Sequence, residues 1–246
     1  MQFKTSITKI QNGREIIRDH KLDDLVKEKS FVEAIFLLFK GELPNKNQNR
    51  MLNAIFTAVI DHGPATASAL NARISASAKN PTHASLAAGL LGLGERHGAA
   101  VSLAMDFFYK NLKEPEIGEK IKKLKDQKIR ISGFGHKVFT DVDPRTATLF
   151  EIAKETGVFG QYCKFALETQ DALNKISSPR QLPLNIDGAV AAVLCDMGFD
   201  AKLGDAIFII GRVPGLLAQI IEEVENDEGI RRLGEEEVEY IGEIHL

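Results

Sequence analysis

Residues 131–150, ISGFGHKVFTDVDPRTATLF, constrain this chain more than any other stretch. Gly133 and Gly135 flank Phe134 directly ahead of His136, so the backbone there can bend tightly or let a ligand approach closely. Asp143 reads as a helix N-cap and Pro144 as the first helical residue, opening a helix that should stop near Gly157. Arg145 then lies in the first turn, the end of the helix dipole that disfavours a cation. Such a placement calls for an anionic partner, in the protein or in a ligand. A dinucleotide-binding fingerprint is excluded: the third glycine of G-x-G-x-x-G would fall at Val138, and a loop follows instead of a helix.

The 246 residues suffice for one large or two modest domains with a real core, and the 44% apolar and 26% charged shares are those of an ordinary globular protein. No apolar run is expected to reach membrane-spanning length, and MQFKTSITKI lacks the apolar core of a signal peptide. Cys163 and Cys195 have no metal-type spacing and read as free thiols of a reducing compartment, so a cytoplasmic location is expected. The net charge of −3 argues against general nucleic-acid binding. It is unevenly spread, with eight basic and four acidic residues over 110–130 but ten acidic and two basic over 222–246. The basic segment reads as a solvated helix face, and a phosphorylated ligand could also meet it.

Helix signals dominate, and the expected fold class is all-α with one short N-terminal β-hairpin about Asn12-Gly13. Ser30 to Glu33 forms a capping box for a helix ending at Gly41, apolar enough to be buried. A further helix through Met51 and Ile55 should end at Asp61-His62-Gly63-Pro64. The small residues of ATASALNARISASAK suit close helix–helix approach. After Asn80-Pro81 the glycines 89, 92, 94 and 98 predict a break around His97, since each costs a helix interior about 1 kcal/mol relative to alanine. Helices follow over 110–128 and 161–175, then from Asn185-Ile186-Asp187-Gly188 and from Gly204-Asp205, before an acidic tail read as a short strand or extended arm.

Among six histidines, His20, His83 and His245 have no notable surroundings, whereas His62, His97 and His136 each adjoin a glycine at an element end. Asp187 is the strongest general-base candidate, a lone carboxylate at a helix start among apolar residues. The competing reading makes it an N-cap and nothing more. Arg145 and Arg212 suit bidentate grip of carboxylates. No chelate spacing, nucleophile elbow or phosphate-binding loop is present.

Together these segments resemble one family in order. GFGHKVFTDVDPR is similar to the G-F-G-H-R-V…D-P-R signature of the citrate synthase superfamily. SFVEAIFLLFKGELP resembles its N-terminal helix, DHGPATAS and RHGAA its first two active-site histidine segments, NIDGAVA its catalytic-aspartate segment, and GRVPGLLAQ its arginine helix. The compact length and the D-H-G-P segment resemble citryl-CoA lyases and the citryl-CoA lyase module of ATP-citrate lyase in particular.

The resemblance implies a large helical domain from residues 1–98 and 199–246, with a smaller helical domain, 99–198, closing over coenzyme A. It implies citryl-CoA cleavage to acetyl-CoA and oxaloacetate. A small synthase-type condensing enzyme and a non-catalytic coenzyme A- or citrate-binding partner subunit are the alternatives. His97, His136 and Asp187 would be catalytic, while His62, Arg145, Arg212, Lys137 and Arg232 would hold substrate. Lys137 stands where arginine is usual, and the Arg231-Arg232-Leu233 segment stands where the family carries a last arginine followed by proline. Not all lyase modules carry a histidine at the place of His97. The coenzyme A thioester would be substrate or product, with no tightly bound cofactor and no metal. Neither a membrane nor nucleic acid would be a partner. A homodimer or higher homo-oligomer is expected.

Overall fold

The structure, a computed structural model, describes residues 2–136, 142–179 and 181–243. Its secondary structure is helical apart from a small antiparallel sheet at the N-terminus. Strands β1 (Thr8–Gln11) and β2 (Arg14–Ile17) pair with Gln11 opposite Arg14. Asn12 and Gly13 both take positive φ, 54° and 71°. That is the two-residue turn whose twist matches a hairpin. A third strand absent from the sequence reading, β3 (His20–Lys21), extends the sheet to three. It leads into the short helix α1 (Leu22–Glu28).

The chain divides into two compact units, one of residues 1–59 with 98–211, the other of residues 60–97 with 212–246. In the first unit, α2 (Phe31–Lys40) starts on the expected capping box: Ser30 Oγ accepts from Glu33 N while Glu33 Oε2 accepts from Ser30 N. It stops at Gly41, φ 79°. The helix is not buried all round, because Phe31 at its N-terminus is exposed while Ile35, Phe36 and Leu37 enter the core. α3 (Lys46–Ala58) opens on a second capping box, between Asn45 and Gln48, and stops short of Ile60.

The remaining helices of this unit are α6 (Val101–Asn111), α7 (Ile117–Asp126), α8 (Pro144–Glu155), α9 (Gln161–Ser177) and α10 (Ile186–Asp196). α10 is its centre. Its residues from Gly188 to Cys195 are all buried, and it packs on α6, α8 and α9. An all-apolar sequence, GAVAAVLC, suits a helix with neighbours on every side. At its far end the Asp196 carboxylate accepts from the backbone N–H groups of Gly160, Tyr162 and Cys163, at 2.9, 3.0 and 2.9 Å. It caps α9, whose own N-cap residue is a glycine without a side chain to do so. Both cysteines are free and buried, and burial pushes their thiols up, that of Cys195 to about 12. Neither is an activated nucleophile.

The second unit contains α4 (Ala67–Ser77) and α5 (Thr82–Leu91), the small-residue helices. A Cβ added to Gly89 would lie 3.0 Å from Ala72 Cβ, and one on Gly92 2.9 Å from the Ala67 carbonyl oxygen. Those glycines are what lets α4 and α5 pack so closely. Ala69, Ala72, Ala76, Leu216 and Ile220 form the core, with Leu86 and Leu90 against it.

The last helix, α11 (Gly204–Asn226), contributes Gly204 to Gly211 to the first unit and the rest to the second. The helix continues through Pro214, where the sequence predicts a disturbance. Pro214 has no N–H for the Ile210 carbonyl, but burial of Leu216 and Ile220 beyond it holds the helix together. Unbroken, α11 is long and apolar enough by length and composition to cross a membrane, which corrects the expectation that no such run exists. The acidic tail forms a single 3-10 turn, Glu235–Glu237, and no strand among the described residues.

Candidate active site

Within the first unit three separate sequence motifs meet at the N-terminus of α10. The glycine turn comes first. Gly133 and Gly135 have φ of 91° and 83°, the region that favours glycine, and Phe134 pairs with Leu184 in an isolated antiparallel bridge. Gly135 N donates to the Pro183 carbonyl at 2.7 Å, and Asn185 N donates to the Gly133 carbonyl at 3.0 Å. Asn185 Nδ2 donates to the Gly135 carbonyl at 2.9 Å. Phe134 is buried edge-on against Phe108 of α6. His136 therefore leaves a rigid turn beside the start of α10.

The second motif is Asp143-Pro144-Arg145. Asp143 is the N-cap of α8, accepting from Arg145 N at 3.1 Å, with Pro144 opening the helix as expected. It is also the anion that Arg145 requires. Arg145 Nε and Nη2 reach Asp143 Oδ1 and Oδ2 at 3.0 and 2.7 Å, a two-point pair on a fully buried carboxylate. Burial alone would raise the Asp143 carboxyl, but the hydrogen bonds and charge of Arg145 outweigh it and hold the group below its ordinary value. Asp143 Oδ2 also accepts from Ile186 N at 3.2 Å, and Thr146 Oγ1 donates to the Leu184 carbonyl at 3.2 Å. One carboxylate thus caps α8, holds Arg145 and fastens α8 to the start of α10.

The third is Asn185-Ile186-Asp187. The N-cap of α10 is Asn185, whose Oδ1 accepts from Gly188 N at 3.1 Å. Asp187 is one residue inside the helix, partly exposed. The reading of Asp187 as a cap and nothing more is therefore excluded. A carboxylate in the first turn, at the positive end of the dipole, sits where negative charge is favoured. His136 is partly buried, and that burial, with the Arg145 guanidinium second, lowers its pKa below the ordinary 6.5. Both effects favour the neutral imidazole, the form able to accept a proton.

The other candidates fall in the second unit. His62 is exposed in the Asp61–Gly63 segment, where Asp61 Oδ2 accepts from Gly63 N at 3.0 Å. His97 closes a tight turn with Gly94, each backbone N–H donating to the other's carbonyl at 2.8 Å, and its Nε2 shares a 2.8 Å hydrogen bond with buried Ser68 Oγ of α4. Arg212 is 3% exposed on α11, and Arg232 is exposed beyond it. Lys137 and His245 lie outside the described residues. The sequence reading missed Asp143 as a counter-ion, Asn185 as the true cap and Ser68 as the partner of His97. The first two carry local signals, an acid two residues before an arginine and an asparagine three before a glycine. Ser68 carries none, being 29 residues from His97 along the chain.

The family model described as citrate synthase, C-terminal domain, matches residues 46–233, a span that holds all these motifs. The chain belongs to the citrate synthase family.

Among solved structures of this family's fold, a citryl-CoA lyase from Hydrogenobacter thermophilus is 41% identical, with a TM-score of 0.92 over 99% of this chain and 96% of that one. Among curated proteins, ATP-citrate synthase of Mus musculus is 27% identical over 99% of this chain and 24% of its own length. Citrate synthase 2 of Bacillus subtilis (strain 168) is 29% identical over 81% of this chain and 54% of its own. The chain thus spans between about a quarter and about half of these curated relatives. As a citrate synthase family member with a helical fold and a small N-terminal sheet, it has the architecture expected from its sequence.

Proposed function

We propose that this protein is a carbon–carbon lyase that cleaves citryl-CoA to acetyl-CoA and oxaloacetate. The observation that carries the reading is the meeting of His136, Arg145 and Asp187 at the N-terminus of α10, in a chain 41% identical to a citryl-CoA lyase over nearly its whole length. Cleavage begins with removal of the proton from the tertiary hydroxyl of the citryl group. Neutral His136 accepts it. The bond from the carbinol carbon to the thioester-bearing methylene breaks, and its electron pair becomes the enolate of acetyl-CoA. The carbinol carbon becomes the ketone of oxaloacetate. Asp187, which has to be protonated at this step against the pull of the helix dipole, delivers its proton to the enolate carbon, while His97 hydrogen-bonds the thioester oxygen as charge develops there.

His62, Arg145 and Arg212, with Lys137 and Arg232, take the carboxylates. Asp143 fixes the Arg145 guanidinium in a two-point pair, so Arg145 meets a carboxylate in a set orientation instead of searching for it. A division into a large domain, 1–98 with 199–246, and a small domain, 99–198, that closes over coenzyme A is part of the same proposal. Subunits are proposed to associate. Leu70 and Ile74 on α4, Leu91 on α5, and Ile221 and Val224 on α11 are exposed apolar residues of the second unit that a like subunit would cover. Light scattering during turnover checks this, and a fully active monomer rules it out.

The second reading is condensation of acetyl-CoA with oxaloacetate followed by thioester hydrolysis, favoured by the similarity to citrate synthase 2. One histidine–aspartate set can run the carbon–carbon step both ways. Two assays separate the readings: oxaloacetate release from citryl-CoA, followed by NADH oxidation with malate dehydrogenase, and free thiol from acetyl-CoA plus oxaloacetate. The lyase reading expects the first to be fast and the second slow. Sustained thiol release with no oxaloacetate formed from citryl-CoA makes the protein a synthase.

A further inference from the structure

Glu223 of α11 is 2% exposed, an uncommon place for a carboxylate. Two arginines of the same unit enclose it. Arg73 of α4 donates Nε to Oε2 at 2.8 Å. Arg231, in the segment after α11, donates Nε to Oε1 at 2.6 Å and Nη2 to Oε2 at 3.2 Å. Arg231 N also donates to Ser77 Oγ at the end of α4, at 2.9 Å. An unpaired charge at such depth is too costly to keep, and the carboxylate is met by both guanidiniums. The outcome is a clamp that fastens residues 229–233, which form no helix of their own, onto α4 and α11.

The clamped segment lines a depression of about 420 Å³ together with Pro64, Leu70 and Arg73. Of its three arginines, two are committed to protein acceptors. Arg73 also binds Gln219 Oε1 at 2.7 Å and Glu222 at 3.0 Å, and Arg231 also binds Glu228 at 2.9 Å. Arg232 makes no ion pair or side-chain hydrogen bond among the described residues. It lines the same depression beside apolar Leu70, Pro64 and Leu233. Pro64 is two residues from His62. An uncommitted guanidinium over an apolar floor is the chemistry of a carboxylate subsite.

We propose that Glu223 is a positioning residue for substrate binding: through Arg231 and Arg73 it fixes the C-terminal segment so that Arg232 presents its guanidinium to a ligand carboxylate. The two adjacent arginines then have separate tasks, Arg231 structural and Arg232 ligand-binding. This rests on the citryl-CoA reading above and deepens it.

The test is a double-mutant cycle read in KM and kcat for citryl-CoA and, independently, in citrate affinity by calorimetry. Arg232→Ala should raise KM and weaken citrate binding about 10- to 100-fold, the worth of a charge-assisted hydrogen bond, with kcat within about twofold. Glu223→Gln should raise KM about tenfold with helix content unchanged, and Glu223→Asp should recover part of that loss. Because Glu223 acts through Arg232, the double variant should be no worse than Arg232→Ala alone. Glu228→Gln, at an exposed pair, should match wild type. If Glu223→Gln does not fold, Arg231→Lys combined with Arg232→Ala completes the same cycle. Multiplying effects in the double variant, or an unmoved KM and citrate affinity in Arg232→Ala, overturn the proposal. A wild-type protein that fails to cleave citryl-CoA yet shows this pattern in citrate affinity removes the lyase reading and keeps the subsite. Cleavage with KM unmoved in Arg232→Ala does the reverse.

Discussion

Gly133 and Gly188 meet backbone to backbone: a Cβ built on Gly133 would stand 2.7 Å from the Gly188 Cα. This approach seats the turn that ends in His136 on the first turn of α10, which holds Asp187. Gly133→Ala adds that Cβ at a φ of 91°, where an L side chain is strained as well as blocked. We expect a loss of at least about 3 kcal/mol, from strain plus overpacking against an unyielding backbone, with activity lost in proportion to misplacement. Urea unfolding measures it, and a midpoint equal to wild type would show that the two segments can part at little cost.

Asp187→Asn should lower turnover by several orders of magnitude while leaving the unfolding midpoint nearly where it was, because the cap belongs to Asn185. Asn185→Ala should behave oppositely in stability. It removes the cap and the bond to the Gly135 carbonyl, costing about 1 to 2 kcal/mol. Near-normal turnover in Asp187→Asn would leave the proton step without its donor.

Asp143→Asn keeps a side-chain cap but removes the counter-charge of Arg145 inside the protein. A broken buried pair costs about 3 to 5 kcal/mol, which for a chain of this size lowers Tm by roughly 10 °C. Calorimetry tests this, and a change below 2 °C would mean that solvent satisfies Arg145.

His136 should titrate below 6.5, the value of an ordinary histidine. The sign follows from burial and the neighbouring Arg145, both of which disfavour the imidazolium. As pH falls from 6.5 toward the lower native pKa, the unfolded chain takes up the proton first, so this group's effect is a loss of stability in that window. Above 6.5 it contributes nothing. Proton NMR of the His136 ring gives the midpoint, which Arg145→Gln should raise. A midpoint at or above 6.5 contradicts the environment described.

Dialysis against a chelator should leave citryl-CoA cleavage intact, since among the described residues no three His, Cys, Asp or Glu side chains cluster as a metal site. Activity lost to the chelator and restored by a divalent ion would reverse this.

Sequence alone determined the parts whose physics is local. The Asn12-Gly13 turn, the Ser30–Glu33 box, the Asp143-Pro144 helix start and the glycine-limited break about His97 are decided by neighbours a few residues apart, and each is legible without the fold. The ordered motifs also carried the family. What the tertiary structure decided is what depends on partners distant in the chain. The sequence left Asp187 poised between helix cap and general base, and the α10 backbone assigned the cap to Asn185. Pro214 read as a disturbance, yet burial beyond it kept α11 whole. The partner of Arg145 was expected somewhere, and the fold buried Asp143 to supply it. Arg231 and Arg232 are indistinguishable as letters. Only the depth of Glu223, which makes its charge too costly to leave unpaired, commits one of them and leaves the other available.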